Sequence, residues 1–322
     1  MKHAQIAGTG GYLPERVMTN KEFEAFVETS DEWIRERTGI KRRHVAAKDE
    51  KTSDMALAAA KTALEAAATD ASEVDLIVLA TTTPDKVFPS TACIVQRRLG
   101  VRNFPAFDVH AACSGFIYAL DVADRFVRTG GARCALVIGA ETYSRIINWQ
   151  DRTTCVLFGD GAGAVLLKAA DEPGVISAHS HADGAYEELL QVPAGVSSGY
   201  DLVRAEAAFI EMQGREVFRR AVATLDAIAT ETLVNNGFKN EDVAWLIPHQ
   251  ANMRIIAAAA KKLDLPMERV VVTVDEHANT SSASIPLALD VAVRDGRVKR
   301  GDLLLFEAFG AGFTWGSALV RY

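Results

Sequence analysis

Two stretches, Val74-Asp75-Leu76-Ile77-Val78-Leu79-Ala80 and Val243-Ala244-Trp245-Leu246-Ile247-Pro248-His249, decide how this chain folds. Each is a short, nearly continuous apolar run, the pattern of a strand covered on both faces. Each follows a long helical segment of similar length. The 169-residue offset from Val74 to Val243 recurs between Ala119-Leu120-Asp121-Val122-Ala123 and Ala288-Leu289-Asp290-Val291-Ala292. The glycine turn Phe158-Gly159-Asp160-Gly161 has an echo in Phe309-Gly310-Ala311-Gly312. Several elements in one register indicate duplication. The expected fold is α/β, with two similar halves over residues 1–170 and 171–322. Their polar strand ends would meet at a shared crevice, where such sheets bind ligands.

Composition narrows the class. With 322 residues, 49% of them hydrophobic, the chain can build a large two-lobed core. Cys93, Cys113, Cys134 and Cys155 show no short metal-ligand spacing, and Met1-Lys2-His3-Ala4-Gln5-Ile6 carries no secretory signal. Free thiols, no metal and a cytoplasmic location are therefore expected. No apolar run approaches the roughly 18 residues of a membrane span. A net charge of −7 argues against general nucleic-acid binding.

Along the chain, residues 4–9 read as a strand, Gly8-Thr9-Gly10-Gly11 as a turn, and Asn20 as the cap of a helix running to Val27. The segment Ser30–Arg43 gathers Arg35, Arg37, Lys41, Arg42 and Arg43 around Trp33. That pattern can grip an anionic ligand with a flat ring, or be a solvated helix end. An alanine-rich helix from Thr52 to Thr69 follows, and later the strand Cys134–Gly139. Gly159-Asp160-Gly161-Ala162-Gly163 leads into a strand, not a helix, so it is not a dinucleotide fingerprint. Residues 171–210 read as loops and edge strands.

Three loops after predicted strands hold reactive side chains. Ala111-Ala112-Cys113-Ser114-Gly115 places a thiol where a short strand, Phe104–Val109, turns into a helix with Phe116, Leu120, Ala123 and Val127 at helical spacing. The unpaired N–H groups of a helix start favour thiolate and predict a lowered pKa; a small buried hydrophobe is the alternative. Pro248-His249-Gln250-Ala251-Asn252 and Glu276-His277-Ala278-Asn279-Thr280-Ser281-Ser282 supply an imidazole and an amide. Two neutral donors converging on one oxygen stabilise an enolate or oxyanion in a dry site; packing and capping are the alternatives.

Taken together, these residues resemble the β-ketoacyl-acyl-carrier-protein synthase III family, the initiating condensing enzymes of dissociated fatty acid synthesis, within the thiolase-like superfamily. The resemblance spans nearly the whole chain: Asp31-Glu32-Trp33-Ile34, Arg37-Thr38-Gly39-Ile40, Ala112–Phe116, Phe158–Ala164, Pro248–Asn252, Asn279–Ser284 and Phe309–Gly316. It implies a five-layered fold, a homodimer, and a Cys113, His249, Asn279 site. In the implied reaction Cys113 takes an acyl group from acyl-CoA. Malonyl-acyl-carrier protein then loses CO2, and the enolate, held by His249 and Asn279, attacks the thioester. The backbone N–H groups of Cys113 and Ala311 would hold the tetrahedral oxyanion.

The resemblance further implies that Trp33 and Arg152 sandwich the adenine of coenzyme A, with Thr29 and Arg37 near it and Asn252 by the pantetheine arm. Arg254, with Arg215, Arg219, Lys261 and Lys262, would form the basic face for an acidic carrier protein, and Phe88 would close the acyl pocket of a second subunit. Coenzyme A is here a substrate, and no cofactor is implied. Ala278 and Ala311 stand where the family usually has glycine, so a positive φ at either would strain alanine. Several rivals compete. A thiolase needs a second cysteine in residues 309–316, which hold none, and elongating synthases use a second histidine where Asn279 stands. A secondary-metabolism relative using another acyl- or aroyl-CoA keeps the same triad, and an inactive carrier-binding scaffold would have lost it.

Overall fold

The structure, a computed structural model, describes residues 2–204 and 208–322. Its main strands are β1 (His3–Tyr12), β2 (Leu76–Ala80), β3 (Ala106–Val109), β4 (Cys134–Glu141), β5 (Gly161–Ala170), β6 (Val175–Ala182), β7 (Trp245–Pro248), β8 (Leu303–Gly310) and β9 (Thr314–Arg321). The main helices are α1 (Asp31–Thr38), α2 (Thr52–Ala66), α3 (Thr91–Leu99), α4 (Gly115–Arg128), α5 (Gly214–Asn235), α6 (Met253–Lys262) and α7 (Ser284–Arg294).

The first sheet has the order β1-β5-β4-β2-β3 and the second β6-β9-β8-β7. The two match strand for strand: β4 runs parallel to β2 and antiparallel to β5, as β8 runs parallel to β7 and antiparallel to β9. A fifth position in the second sheet is reduced to one parallel bridge, Leu246 with Val270. Helices α4 and α7 lie between the sheets, α2 and α3 cover the first, and α5 and α6 cover the second. This is the expected five-layered arrangement of duplicated halves.

Apolar pattern explains the layering. Phe116, Leu120, Ala123 and Val127 of α4 join Val78, Val137, Ile247 and Phe306 in one core between the sheets. Leu and Ile side chains fully buried in this way each contribute about 1.5–3 kcal/mol. The turns that lead into α4 and α7, Ala112–Ser114 and Ser281–Ala283, pack against each other in the middle of the molecule. The active-site loops are placed by that geometry.

Two local expectations are corrected. Gly8, Gly10 and Gly11 are not a turn but lie within β1, paired to β5 as far as Tyr12. The glycines let α2 lie directly on the strand: a methyl on Gly8 would come within 2.8 Å of the Ala67 nitrogen. Asn20 does not cap a helix to Val27, since its helical turn is only Asn20–Phe23 with Thr19 at the cap. Its amide is buried, donating to Asp31 and to the Ile40 carbonyl and accepting from Arg43.

Candidate active site

Cys113 sits on a tight turn, Ala112–Ser114, that runs straight into α4. Ala112 has φ 44°, a left-handed conformation that turns the chain sharply under the thiol. The turn is clamped from the second half: Ser114 Oγ donates to the Thr314 carbonyl at 2.9 Å, and Thr314 Oγ1 lies 2.9 Å from the Ala111 carbonyl and 3.0 Å from that of Ala311. Gly310 is pressed against the nucleophile turn, where an added methyl would stand 2.8 Å from the Cys113 nitrogen. Only glycine leaves that N–H open.

His249 follows β7 and is 5% exposed. Its Nδ1 lies 2.6 Å from Ser284 Oγ, and that oxygen also receives the Gln250 N–H at 3.4 Å. Ser284 can give its proton to Nδ1, and in that tautomer the imidazole proton stands on Nε2 as a donor. Burial pushes the His249 pKa down to about 3, so the ring is neutral. Gln250 braces the loop, donating to the Pro248 and Val271 carbonyls and accepting from the N–H groups of Thr273 and Val274.

The loop that carries Asn279 is bridged to Phe158 and tied to Leu157 and Gly159 by backbone hydrogen bonds of 3.0 Å. Its Oδ1 accepts the Ser281 N–H at 2.8 Å, which turns the NH2 donor toward the cavity. Ala278 has φ 58° and Ser281 φ 50°; such residues cost about 1–3 kcal/mol each. The expected strain is therefore real at Ala278. Ala311 is not among the positive-φ residues, and Gly312, at φ 131°, takes the unusual conformation next to it.

Cys113, His249 and Asn279 converge on one cavity of about 120 Å³, walled by Phe158, Leu190, Met212, Val217, Leu225 and Phe309 and reached past Asn252. Inside it, the expected low thiol pKa is overturned. Burial pushes Cys113 up to about 12, opposed by a hydrogen bond from Ser281 and reinforced by the Glu141 carboxylate. Desolvation outweighs the helix start, so the resting nucleophile is a thiol.

Of the predicted coenzyme A residues, Arg37 and Arg152 do flank Trp33, each guanidinium carbon 4.9 Å from the ring centroid. Arg152 is anchored to the Glu28 carbonyl at 2.7 Å, next to Thr29, whose buried hydroxyl has no partner among the described residues. Asn252 caps α6 through the Arg254 N–H and donates to the Arg37 carbonyl, linking this region to the cavity mouth. The other basic residues of the segment do not belong to it. Arg35 pairs with Asp31, Lys41 with Asp275, and Arg42 with Glu276. Arg43 is a core residue, fully buried over the Phe23 ring.

Arg215 and Arg219 lie on α5, and Arg254, Lys261 and Lys262 on α6, all exposed. Arg219 pairs with Glu216 and Lys262 with Asp226; exposed pairs of this kind are weak and open readily. Phe88 stands apart from the cavity, 82% exposed beside Val87 at 58%. Sequence reasoning missed Thr314, Gln250, Ser281, Ser284 and Glu141. Their only signal was a polar residue inside an apolar or small-residue run.

A strand-for-strand duplication with a cysteine and two neutral donors on one largely apolar cavity defines a thiolase-like condensing enzyme. Family profiles agree: 3-oxoacyl-[acyl-carrier-protein] synthase III matches residues 107–184, and its C-terminal part matches 233–322. The chain is 63% identical over 322 residues, 100% of both chains, to the β-ketoacyl-[acyl-carrier-protein] synthase III of Thioalkalivibrio sulfidiphilus. It is 62% identical to that of Xanthomonas campestris pv. campestris, over 99% of this chain and 98% of the relative. The crystal structure of 3-oxoacyl-[acyl-carrier-protein] synthase III from Aquifex aeolicus superposes with a TM-score of 0.93 at 50% identity, covering 99% of this chain and 100% of that one. The chain belongs to the β-ketoacyl-[acyl-carrier-protein] synthase III family.

Proposed function

We propose that this chain catalyses the first condensation of fatty acid synthesis, joining an acetyl group from acetyl-CoA to malonyl-acyl-carrier protein. Cys113 attacks the acetyl thioester, and the tetrahedral oxyanion lies against the N–H groups of Cys113 and Ala311. Each such donor lowers the barrier by roughly 2.7–4 kcal/mol. Coenzyme A leaves, and the malonyl thioester enters the same cavity. Loss of CO2 leaves an enolate whose oxygen takes hydrogen bonds from His249 Nε2–H and Asn279 Nδ2–H. Neither donor is charged, so the apolar walls favour departure of the carboxylate. The enolate carbon attacks the Cys113 thioester and gives the β-ketoacyl-carrier protein.

The observation that carries this reading is the convergence of a thiol, a neutral imidazole held at Nδ1 by Ser284 and a tethered amide on one cavity. Binding follows the surface chemistry. The adenine stacks between the Trp33 ring and Arg152, whose guanidinium moves off the ring to admit it, with Arg37 beside it, and the two arginines offset the phosphates. Thr29 and Asn252 line the way in. The exposed cations of α5 and α6 at the cavity mouth fit an acidic carrier protein, with Arg254 central to it. The exposed Val87–Phe88 pair is covered by a second copy of the chain in a homodimer, and the enzyme works in the cytoplasm.

The test is intact mass spectrometry with acetyl-CoA. The wild-type chain gains one acetyl group and Cys113→Ser gains none; equal labelling of both refutes Cys113 as the nucleophile.

A further inference from the structure

Backbone and side chain of Asn279 are held by different means. The backbone is bonded to Leu157 and Gly159 at 3.0 Å each. The side chain depends on Ser281, whose N–H donates to Oδ1 at 2.8 Å and so aims the NH2 group at the cavity. The loop around it is not relaxed, since Ala278 has φ 58° and Ser281 φ 50°. Backbone in that region persists only where surrounding contacts impose it.

One buried side chain supplies such contacts. Glu141, the last residue of β4, is 0% exposed. Its Oε1 lies 2.9 Å from Ser282 Oγ and 3.4 Å from Ser281 Oγ, both on the turn that follows Asn279. Its Oε2 accepts the Thr82 N–H at 3.0 Å and lies 3.2, 3.1 and 2.8 Å from the hydroxyls of Thr81, Thr82 and Thr83, just after β2. One carboxyl thus clasps a loop of the first half to the turn beside Asn279 in the second. The Tyr143 hydroxyl closes the network, 3.0 Å from Ser281 Oγ and 3.3 Å from Thr82 Oγ1. Strand β4 also lies directly on the turn: a methyl on Gly139 would stand 2.7 Å from the Ser282 carbonyl carbon. A buried polar network joined in this way rigidifies the groups it holds.

Given the enolate role proposed above for Asn279, on which this rests, we infer that Glu141 is a positioning residue for that amide. Through Ser281 and Ser282 it fixes the strained turn that aims the Asn279 NH2 at the enolate oxygen. An amide free to swing loses its bond to the forming oxyanion, and a misplacement of about 1 Å can cost roughly 100-fold in rate. The Cys113 turn is secured separately, by the hydrogen bonds of Ser114 and Thr314. Loss of Glu141 therefore slows CO2 release far more than acetyl transfer. A carboxyl that merely glued the two halves together would affect both steps alike.

The test measures CO2 release from malonyl-carrier protein, acetyl transfer by intact mass and the urea midpoint. The variants are Glu141→Ala, Glu141→Gln and Ser281→Ala combined with Ser282→Ala, with Glu141→Ala also placed in an Asn279→Ala chain. Glu141→Ala is expected to release CO2 about 10- to 100-fold more slowly, with acetyl transfer within about threefold of wild type. Glutamine can keep the clasp, its oxygen toward the Thr82 N–H and its NH2 toward the two serine hydroxyls, with Ser282 donating to the Ala80 carbonyl at 3.0 Å. Glu141→Gln is therefore expected to stay within about threefold of wild type in both steps. In the Asn279→Ala chain, adding Glu141→Ala should slow CO2 release by no more than about twofold, because the amide it positions is gone. Full slowing in that background overturns the inference, as does equal loss of both steps in Glu141→Ala or a Glu141→Gln chain as slow as Glu141→Ala. Should Glu141→Ala fail to fold, the serine pair severs only the Oε1 side and is expected to show the same split; wild-type CO2 release from it overturns the inference. Unchanged CO2 release in Asn279→Ala itself refutes instead the enolate role of that amide.

Discussion

Gly310→Ala is the sharpest single perturbation of the oxyanion site, because the added methyl has nowhere to go. At Gly310 a Cβ would stand 2.8 Å from the Cys113 nitrogen, 3.1 Å from the Ser114 nitrogen and 3.3 Å from Cys113 Cα. All three are backbone atoms on a turn fixed by Thr314, so no side chain can swing aside. Relief requires the nucleophile turn and the glycine loop to separate by several tenths of an ångström, at an overpacking cost of about 1–3 kcal/mol. The same methyl covers the Cys113 N–H. Loss of one oxyanion donor lowers kcat by roughly 10²–10³, about 2.7–4 kcal/mol. The assay pairs the rate of acetyl-enzyme formation, followed by intact mass, with a urea unfolding midpoint. The expected result is a loss of rate larger than the loss of stability explains. Wild-type acylation by Gly310→Ala would refute the placement of the oxyanion on the Cys113 N–H.

Further outcomes follow from the site. His249→Ala and Asn279→Ala should still take an acetyl group but release CO2 from malonyl-carrier protein at least 100-fold more slowly; unchanged CO2 release refutes their role as enolate donors. Trp33→Ala removes the ring face on which the adenine stacks, worth about 1–3 kcal/mol, so KM for acetyl-CoA should rise about 5- to 150-fold with kcat nearly unchanged, and a fall in kcat alone would contradict adenine stacking. Glu307 is fully buried with neither oxygen partnered among the described residues, and burial raises its pKa to about 8. Its unfolded-state pKa is lower, so stability is full below about pH 4.5 and declines as pH rises through 8. Glu307→Gln should therefore raise the urea midpoint at pH 8 and leave it nearly unchanged at pH 4.5; an equal effect at both values refutes a neutral buried acid.

The fold was legible where one pattern repeated. Val74–Ala80 and Val243–His249 are apolar because both strands are covered by helices on two sides, and a fixed offset survives when whole elements are duplicated. The same signal placed Cys113, His249 and Asn279 on loops that meet. What escaped was set by contacts between distant elements. Gly8 and Gly10 read as a turn because nothing local announces that α2 will lie against them. Arg43 reads as one more surface cation, and only the carbonyls of Met18 and Val156 together with Asn20 make its burial tolerable. The Cys113 pKa was misjudged for a similar reason: the helix start is local and visible, whereas the desolvation that outweighs it comes from the second half closing over the turn. Glu141, inside an otherwise apolar strand, carried a readable anomaly, but the Thr81–Thr83 and Ser281–Ser282 groups that hydrogen-bond its carboxyl come from two loops that the sequence alone does not bring together.

The central claim is tested most directly by loading the chain with acetyl-CoA, removing free coenzyme A and adding malonyl-carrier protein or malonyl-CoA in separate reactions. The account predicts that acetyl-Cys113 disappears with malonyl-carrier protein as CO2 and a β-ketobutyryl-carrier protein appear in equal amounts. Persistence of acetyl-Cys113 with malonyl-carrier protein, or turnover with malonyl-CoA alone, contradicts it.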